Sequence, residues 1–292
     1  MKKEEKKLKK GMQKMEIPAD HWLPKSPGWS KRLLIGTPTR GEVRMEWVRG
    51  RYGQTIPCNF SLVDSHQFLN SYAPLGFQIT DAENLTAKIM VEGNYEWFLS
   101  WEDDNVPQAD ALIKLNEYMI RGDIPIISGL YFTKSIPPEP IMYRGNGRGY
   151  YADWKLGEKV WVDGIPFGFT LIHGSIIKAL WDESPEYIVN GQVTRRVFSI
   201  PNESYIDPVT GGLINSTGTS DLAWCKRMKD AKIFEKAGWP EFQKKEFPML
   251  VDTNIFVHHV DRTDGTMFPR ALPKAFVEGK ITFKEALALL TA

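Results

Sequence analysis

The sequence predicts an α/β fold, a Rossmann-like half with a mostly parallel central sheet followed by a mixed-sheet half. Three observations predict it. Short apolar runs of strand length alternate with helically periodic segments from residue 31 to about residue 135, the rhythm of βαβ units. Acidic residues stand where those runs end, the side on which open α/β sheets bind ligands. From about residue 136 the runs shorten and become rich in glycine, which predicts antiparallel or mixed strands.

Arg32-Leu33-Leu34-Ile35-Gly36 reads as a buried first strand, ended by the loop Thr37-Pro38-Thr39-Arg40-Gly41. Val43, Trp47 and Val48 recur at helical spacing, and Phe60-Ser61-Leu62-Val63-Asp64 is a second strand ending in an acid. Asp81 is placed to cap a helix from Ala82 to Glu92, with Leu85, Ile89 and Met90 on one face and Gly93 as its stop. Trp97 to Trp101 forms the next strand and runs into Glu102-Asp103-Asp104-Asn105. A helix from Ala109 to Ile120 and a strand from Ile124 to Tyr131 complete the first half. Short strands follow at Ile141–Tyr143, Lys159–Val162 and Phe167–Ile172, then a helix from Ser175 to Trp181. The Gly/Asn/Ser-rich stretch from Asp207 to Thr219 reads as a mobile loop. A helix from Ser220 to about Ala231, a strand from Thr253 to Val257 and an Ala/Leu-rich C-terminal helix end the chain. The division is a basic N-terminal extension (1–30), one domain (31–262, halves meeting near 135) and a C-terminal helical tail (263–292), whose last helix is a candidate subunit contact.

The formal net charge of +1 sets up no field over the whole chain that would draw it to nucleic acid. Residues 2–14 carry seven lysines against Glu4 and Glu5; such a block reads as a solvated tail, with weak contact to an anionic membrane surface as the other reading. Cys58 and Cys225 have no CxxC spacing, so neither a disulfide framework nor a zinc site is expected. There is no apolar run of transmembrane length and no signal-peptide stretch, and the expected location is cytoplasmic.

The chemistry concentrates in the acidic run. Glu102 and Asp104 lie two apart, and in an extended segment such side chains share a face. Both carboxylates could then reach one cation, and oxygen ligands suit Mg²⁺ or Mn²⁺, which take remaining positions from water and substrate phosphates. A solvated acidic turn is the plainer reading of the same tetrapeptide.

The segment Tyr95-Glu96-Trp97-Phe98-Leu99-Ser100-Trp101-Glu102-Asp103-Asp104-Asn105-Val106-Pro107 resembles the strand and DxD metal motif of family 2 glycosyltransferases and their relatives, with Glu in place of the first Asp. Ser128-Gly129-Leu130-Tyr131 is similar to the strand after the metal-motif helix in that group, and Asp163 to Ile172 to its Gly-rich acceptor-side segment. Thr219 to Arg227 resembles the helix start that carries the base of inverting members, and Val251 to His259 the late strand that brings a His to the metal. The segments occur in the family's order over about residues 32–262.

The resemblance implies a GT-A-type fold and a metal-dependent, hexosyltransferase-like enzyme that moves a sugar from a nucleotide-diphosphate sugar to an acceptor hydroxyl. UDP-sugars are favoured over GDP-sugars, and the acceptor is unidentified. By the resemblance, Glu102, Asp104 and His259 hold the metal, Mn²⁺ if a His ligand is used and otherwise Mg²⁺. His258 and His259 would face opposite ways on a strand. Asp221 is the implied base, with an N-cap role as the alternative; at a helix start the dipole and free N–H groups lower its basicity. Thr37, Pro38, Thr39, Arg40, Asp64, Asn84 and Asp103 are the implied nucleotide-binding residues. Trp97 and Trp101 read as core, and Tyr131, Trp154 and Trp161 as weaker candidates for stacking on a sugar. Two other function classes remain open. A nucleotidyltransferase or pyrophosphorylase would need a Gly-rich, Lys/Arg-bearing first loop, which is short here, and a non-catalytic binding module would have no use for Asp221 and His259.

Overall fold

The computed structural model describes residues 26–56, 71–145, 149–206 and 208–291. In chain order the elements are β1 (Lys31–Gly36), α1 (Met45–Tyr52), β2 (Ser71–Tyr72), α2 (Ile79–Glu92), β3 (Tyr95–Trp101), β4 (Asn105–Pro107), α3 (Ala111–Arg121), β5 (Ile126–Leu130), β6 (Lys159–Val162), β7 (Phe169–His173) and α4 (Gly174–Asp182). There follow β8 (Glu186–Val189), β9 (Gln192–Arg195), β10 (Asn202–Ile206), β11 (Leu213–Thr217), α5 (Ser220–Asp230), α6 (Ile233–Lys236), α7 (Pro240–Gln243), β12 (Met249–Val260), β13 (Met267–Phe268), α8 (Lys274–Val277) and α9 (Phe283–Thr291).

Strands of near-continuous apolar sequence need cover on both faces, and they receive it. In β3, Phe98 points into one core, while Trp97, Leu99 and Trp101 point into the other. Leu34 against Leu33 and Ile35 in β1, and Ile172 against Phe169 and Leu171 in β7, divide in the same way. Helix α3 closes one face with Leu112, Leu115 and Met119. Helices α2, α4 and α5 close the other with Met90, Ile176, Leu180, Trp224 and Met228.

Among the described residues, nine strands form one mixed sheet along the path β13-β12-β5-β7-β3-β1-β2, with β4 and β6 paired to β12 off the path. The protein is therefore α/β with a mixed central sheet. Strands β1, β2 and β3 are mutually parallel. Strand β7 runs antiparallel between β3 and β5. The chain leaves β1 for β2 on one side and returns past β1 to β3, then continues to the other side. The C-terminal ends of β1 and β3 thus flank a topological switch point, where open α/β sheets leave a crevice.

Several expectations are corrected. The helix expected from Ala82 begins at Ile79, and Asp81 lies in its first turn instead of capping it. Ile141–Tyr143 forms isolated bridges only. Within the stretch expected to be a mobile loop, Leu213–Thr217 forms β11 and pairs antiparallel with β10, which precedes the stretch. The strand at Thr253–Val257 is the middle of the twelve-residue β12, whose register with β5 shifts between Asp252 and Phe256. The 263–292 tail is not set apart: Phe276, Phe283 and Ala286 are fully buried in the main core, and β13 pairs with β12. The expected second strand with Asp64, Cys58 and the lysine block lie outside the described residues. Within them, no helix is long and apolar enough to cross a membrane, and Cys225 is a free, buried thiol.

Candidate functional site

At the end of β3 the chain does not stay extended. The Asn105 amide donates to the Glu102 carbonyl at 3.2 Å, so residues 102–105 form a turn. Two indoles pin it: Trp47 Nε1 donates to the Glu102 carbonyl (2.9 Å) and Trp101 Nε1 to the Asn105 carbonyl (2.8 Å). Gly168 closes it from the neighbouring strand, its carbonyl accepting from the Glu102 amide at 2.9 Å. A Cβ at Gly168 would collide with the Tyr131 hydroxyl and the Asn105 amide, so only glycine lets β7 approach this closely.

The turn gives its three carboxylates different partners. Asp104 is 7 % exposed and gathers cationic and imidazole partners: Lys134 Nζ at 2.8 Å, His259 Nε2 at 3.4 Å and Arg262 Nε at 3.7 Å, all on Oδ2. Burial works to raise its pKa, but His259 and Lys134 outweigh it and hold the group well below the usual carboxylate range. Asp103 is ion-paired with the Arg262 guanidinium. Burial raises its pKa, while the Thr39 hydroxyl and Arg262 act against the rise. Glu102 lies beside Asp104. The Asn105 amide group bridges it to Asp104, donating to Asp104 Oδ1 (3.1 Å) and to Glu102 Oε2 (3.5 Å). Its pKa is pushed up to about 8 by burial and by the charges of Asp104 and Asp221.

Among the described residues, no three His, Cys, Asp or Glu side chains form a group that could hold a metal ion. The extended 102–104 segment on which a shared metal-binding face was expected is corrected: residues 102–105 form a turn, in which Glu102 and Asp104 meet through the Asn105 amide group. What the structure does assemble is the pair Asp104–His259. His259 Nδ1 lies 3.0 Å from the Phe132 carbonyl. A carbonyl only accepts, so Nδ1 donates to it, and Nε2 is the ring nitrogen that faces Asp104 Oδ2, whose low pKa owes part to a hydrogen bond from His259. His259, not its neighbour, faces the site; His258 Nδ1 is buried without a hydrogen-bond partner, and its ring packs on Phe256 at a centroid distance of 5.0 Å. Strand β12 brings His259 here because its irregular middle changes partners, from β5 and β6 before it to β4 and β13 after it.

The loop after β1 joins the same place. Thr39 is near enough to Asp103 to oppose the rise of its pKa, Thr37 is buried with its hydroxyl oxygen unpartnered, Pro38 is half-buried and Arg40 is exposed. Asn84 does not join. Its Nδ2 donates to the Tyr187 hydroxyl (2.8 Å) and the Phe198 carbonyl (2.9 Å), and its Oδ1 accepts from the Phe198 amide (2.8 Å). With both amide hydrogens spent inside the fold, it ties segments together instead of contacting a nucleotide. The sugar-stacking candidates are corrected likewise. Trp154 stacks on Phe283 in the core, Trp161 packs on Phe242, and Tyr131 is buried with its hydroxyl accepting from the Gly168 amide at 2.6 Å.

Asp221 stands at the second position of α5, not at its cap, which is Thr219. Its Oδ1 accepts from the Leu222 amide at 3.0 Å. Burial nonetheless raises its pKa, with Thr219 and the backbone amides opposing, so the loss of basicity expected at a helix start does not prevail. Its charge is felt at Glu102, Glu83 and Tyr131, which sets it across from the acidic turn. Sequence reasoning missed Lys134, Arg262 and Glu83. Lys134 and Arg262 sit in irregular segments with no periodicity to mark them, and Glu83 reads as an ordinary polar residue of a helix.

The protein these elements define is an α/β protein with a mixed sheet and a polar, charge-rich site at a topological switch point. No family model and no curated protein match the chain. Among solved structures, the one titled "Crystal Structure of A197 from STIV" is similar at a TM-score of 0.46 and 12 % identity, covering 81 % of this chain and 92 % of that one. A likeness at that level carries no argument about function.

Proposed function

We propose that the protein is a glycosyltransferase of GT-A type that uses a divalent cation and a nucleotide-diphosphate sugar. The observation that carries the reading is the Asp104–His259 pair, a carboxylate oxygen and a ring nitrogen 3.4 Å apart beside the loop after β1. Two protein donors are few for an all-protein cage, but cations that act on nucleotides commonly take only one or two side chains and complete their shell with substrate phosphates. Asp104 and His259 would hold the ion, and an imidazole ligand favours Mn²⁺ over Mg²⁺. Bound there, the ion would supply Lewis-acid stabilisation of charge on the leaving diphosphate.

The chain's own residues account for the remaining steps. Thr37, Thr39 and Asp103 line the crevice side that would take the nucleoside. Lys134 and Arg262, already paired with the acidic turn, are cations placed to meet phosphate oxygens. Asp221 accepts the proton of the acceptor hydroxyl as that oxygen bonds to the anomeric carbon; the bond from that carbon to the diphosphate oxygen breaks, and its electron pair leaves with the nucleoside diphosphate. The proton affinity that burial gives Asp221 suits a base working near neutral pH better than that of an exposed carboxylate.

The test is a thermal-shift and donor-hydrolysis screen of UDP-, GDP-, dTDP- and CMP-sugars with and without Mn²⁺. The expected result is one nucleotide-sugar that raises Tm only with metal, an effect lost in Asp104→Ala. No stabilisation and no hydrolysis with any of them would overturn the reading.

A further inference from the structure

The oxygen of Asp104 that faces His259 is already crowded with positive charge. Asp104 Oδ1 accepts from the Asn105 amide group at 3.1 Å. On Oδ2 stand Lys134 Nζ (2.8 Å), His259 Nε2 (3.4 Å) and Arg262 Nε (3.7 Å). The Arg262 guanidinium also pairs with Asp103 Oδ1, so one side chain spans both acids. Asp103 and Asp104 are thus matched by two permanent cations, and the chain itself balances their charge.

The acids are enclosed and the cations less so. The Asp103 and Asp104 side chains are 1 % and 10 % exposed, against 27 % for Lys134 and 41 % for Arg262. The acids sit in the turn pinned by Trp47 and Trp101, and the Asp104 carbonyl accepts from the Val260 amide at 2.7 Å. Both cations reach in from loops that follow strands of the sheet. Lys134 comes after β5, in a loop closed by the Thr133 amide on the Glu139 carbonyl (2.8 Å). Arg262 comes after β12, in a turn closed by the Asp261 amide on the Thr266 carbonyl (2.8 Å) and by the Gly265 amide on the Asp261 carbonyl (2.9 Å). Gly265 packs so closely on Arg44 and Glu46 that a Cβ there would strike both, so this turn rests against the start of α1. Long side chains on loops held in this way change partners by rotating about their own bonds.

A dication on Oδ2 must displace the Lys134 ammonium and meets the Arg262 guanidinium beside it, and like charges repel. Oxygens of a diphosphate are strong acceptors for both groups, and its negative charge offsets that of the metal ion. We propose that Lys134 and Arg262 are exchangeable counter-cations, which hold Asp104 and Asp103 until a divalent cation arrives with a diphosphate and then transfer to the diphosphate oxygens. The inference rests on the transferase reading of the site. It makes the two ligands interdependent: each binds weakly alone, and each raises the affinity for the other by the same factor. If the two side chains served only to bind phosphate, removing them would leave the affinity for metal alone unchanged.

The experiment is isothermal titration calorimetry on the full chain with MnCl₂, alone and in the presence of UDP, GDP or dTDP, for the wild type, Lys134→Met and Arg262→Met. Binding at the site is the component lost in Asp104→Asn. In the wild type, one of the diphosphates is expected to raise the affinity for Mn²⁺ about tenfold or more, inside the range of about 5- to 150-fold typical of coupled sites. In each variant Mn²⁺ alone is expected to bind about tenfold more tightly than to the wild type, because a positive charge next to the ion is gone, and the gain from the diphosphate shrinks. Arg262→Met strips the buried Asp103 of its partner, so Lys134→Met carries the test where that variant does not fold. A rise in one variant only assigns the role to that side chain and removes it from the other. An affinity for Mn²⁺ alone that is unchanged or weaker in both variants, or a wild type that binds Mn²⁺ equally with and without diphosphate, overturns the counter-cation role and leaves the transferase reading intact. If no Asp104-dependent binding of Mn²⁺ occurs in the wild type or either variant, with or without diphosphate, that reading fails and the role fails with it.

Discussion

Replacing Glu102 by glutamine is expected to stabilise the ligand-free protein at neutral pH and to leave it unchanged near pH 4.5. The Glu102 carboxyl group is enclosed beside Asp104 and Asp221, and its pKa is pushed up to about 8 from an ordinary 4.5, with burial the largest cause. A group whose folded pKa is raised contributes fully below its unfolded pKa, and that contribution is lost as pH rises through the folded pKa. Between pH 4.5 and 8 the wild type must therefore bind a proton at Glu102 in order to fold. At about 1.4 kcal/mol per pH unit over the span from 4.5 to 7, this amounts to about 3.5 kcal/mol at pH 7. The residue keeps partial solvent contact, which makes that figure a ceiling. Glutamine keeps the oxygen that accepts from the Asn105 amide group and carries no charge to bury. Urea unfolding of both proteins from pH 4.5 to 8, without nucleotide or metal, should give curves that coincide at the acidic end and diverge steadily above it, with unchanged m-values. Parallel curves, or a gap that widens toward acid, would refute the argument that the Glu102 carboxylate is enclosed among like charges.

Two further substitutions test the frame around the site. Tyr118→Phe removes the hydroxyl that donates to Asp252 Oδ2 at 2.6 Å and leaves a buried carboxylate oxygen short of a donor; a loss of about 1–3 kcal/mol is expected in the denaturation midpoint, and a neutral result would mean that water replaces the hydroxyl. Trp97→Ala empties a fully buried site packed edge-on against His173, with an expected cost of about 3–5 kcal/mol by chemical denaturation. Its buried Nε1 has no hydrogen-bond partner, so the whole loss belongs to packing, and a much smaller value would indicate that the core collapses into the space.

The parts of the fold legible in the sequence are those set by short-range pattern. The strand at Trp97–Trp101 and the helices after Asp110 and Thr219 were readable because burial on two faces demands continuous apolar runs, and one-sided burial demands a 3.6-residue period. One hairpin was missed despite an available signal. Asn190-Gly191 joins β8 to β9 with φ of 49° and 80°, the positive values a two-residue turn requires, and such a dipeptide between β-branched residues announces it. The acidic run was legible as a place but not as a geometry. Whether 102–104 continues the strand depends on Trp47, 55 residues earlier, and on Gly168, far later in the chain.

The sequence by itself therefore determined the α/β class and the position of an acidic run at the end of a strand, because each follows from periodicity and residue chemistry. Tertiary structure alone decided which groups meet. It paired Asp104 with His259, Lys134 and Arg262, and brought Glu102 within reach of the Asp221 charge. It also spent Asn84 inside the fold. Those outcomes rest on contacts between residues 30 to 160 positions apart, on a register shift within β12 and on a turn held from two other elements. No local pattern carries such information, because each contact is fixed only when the whole core packs.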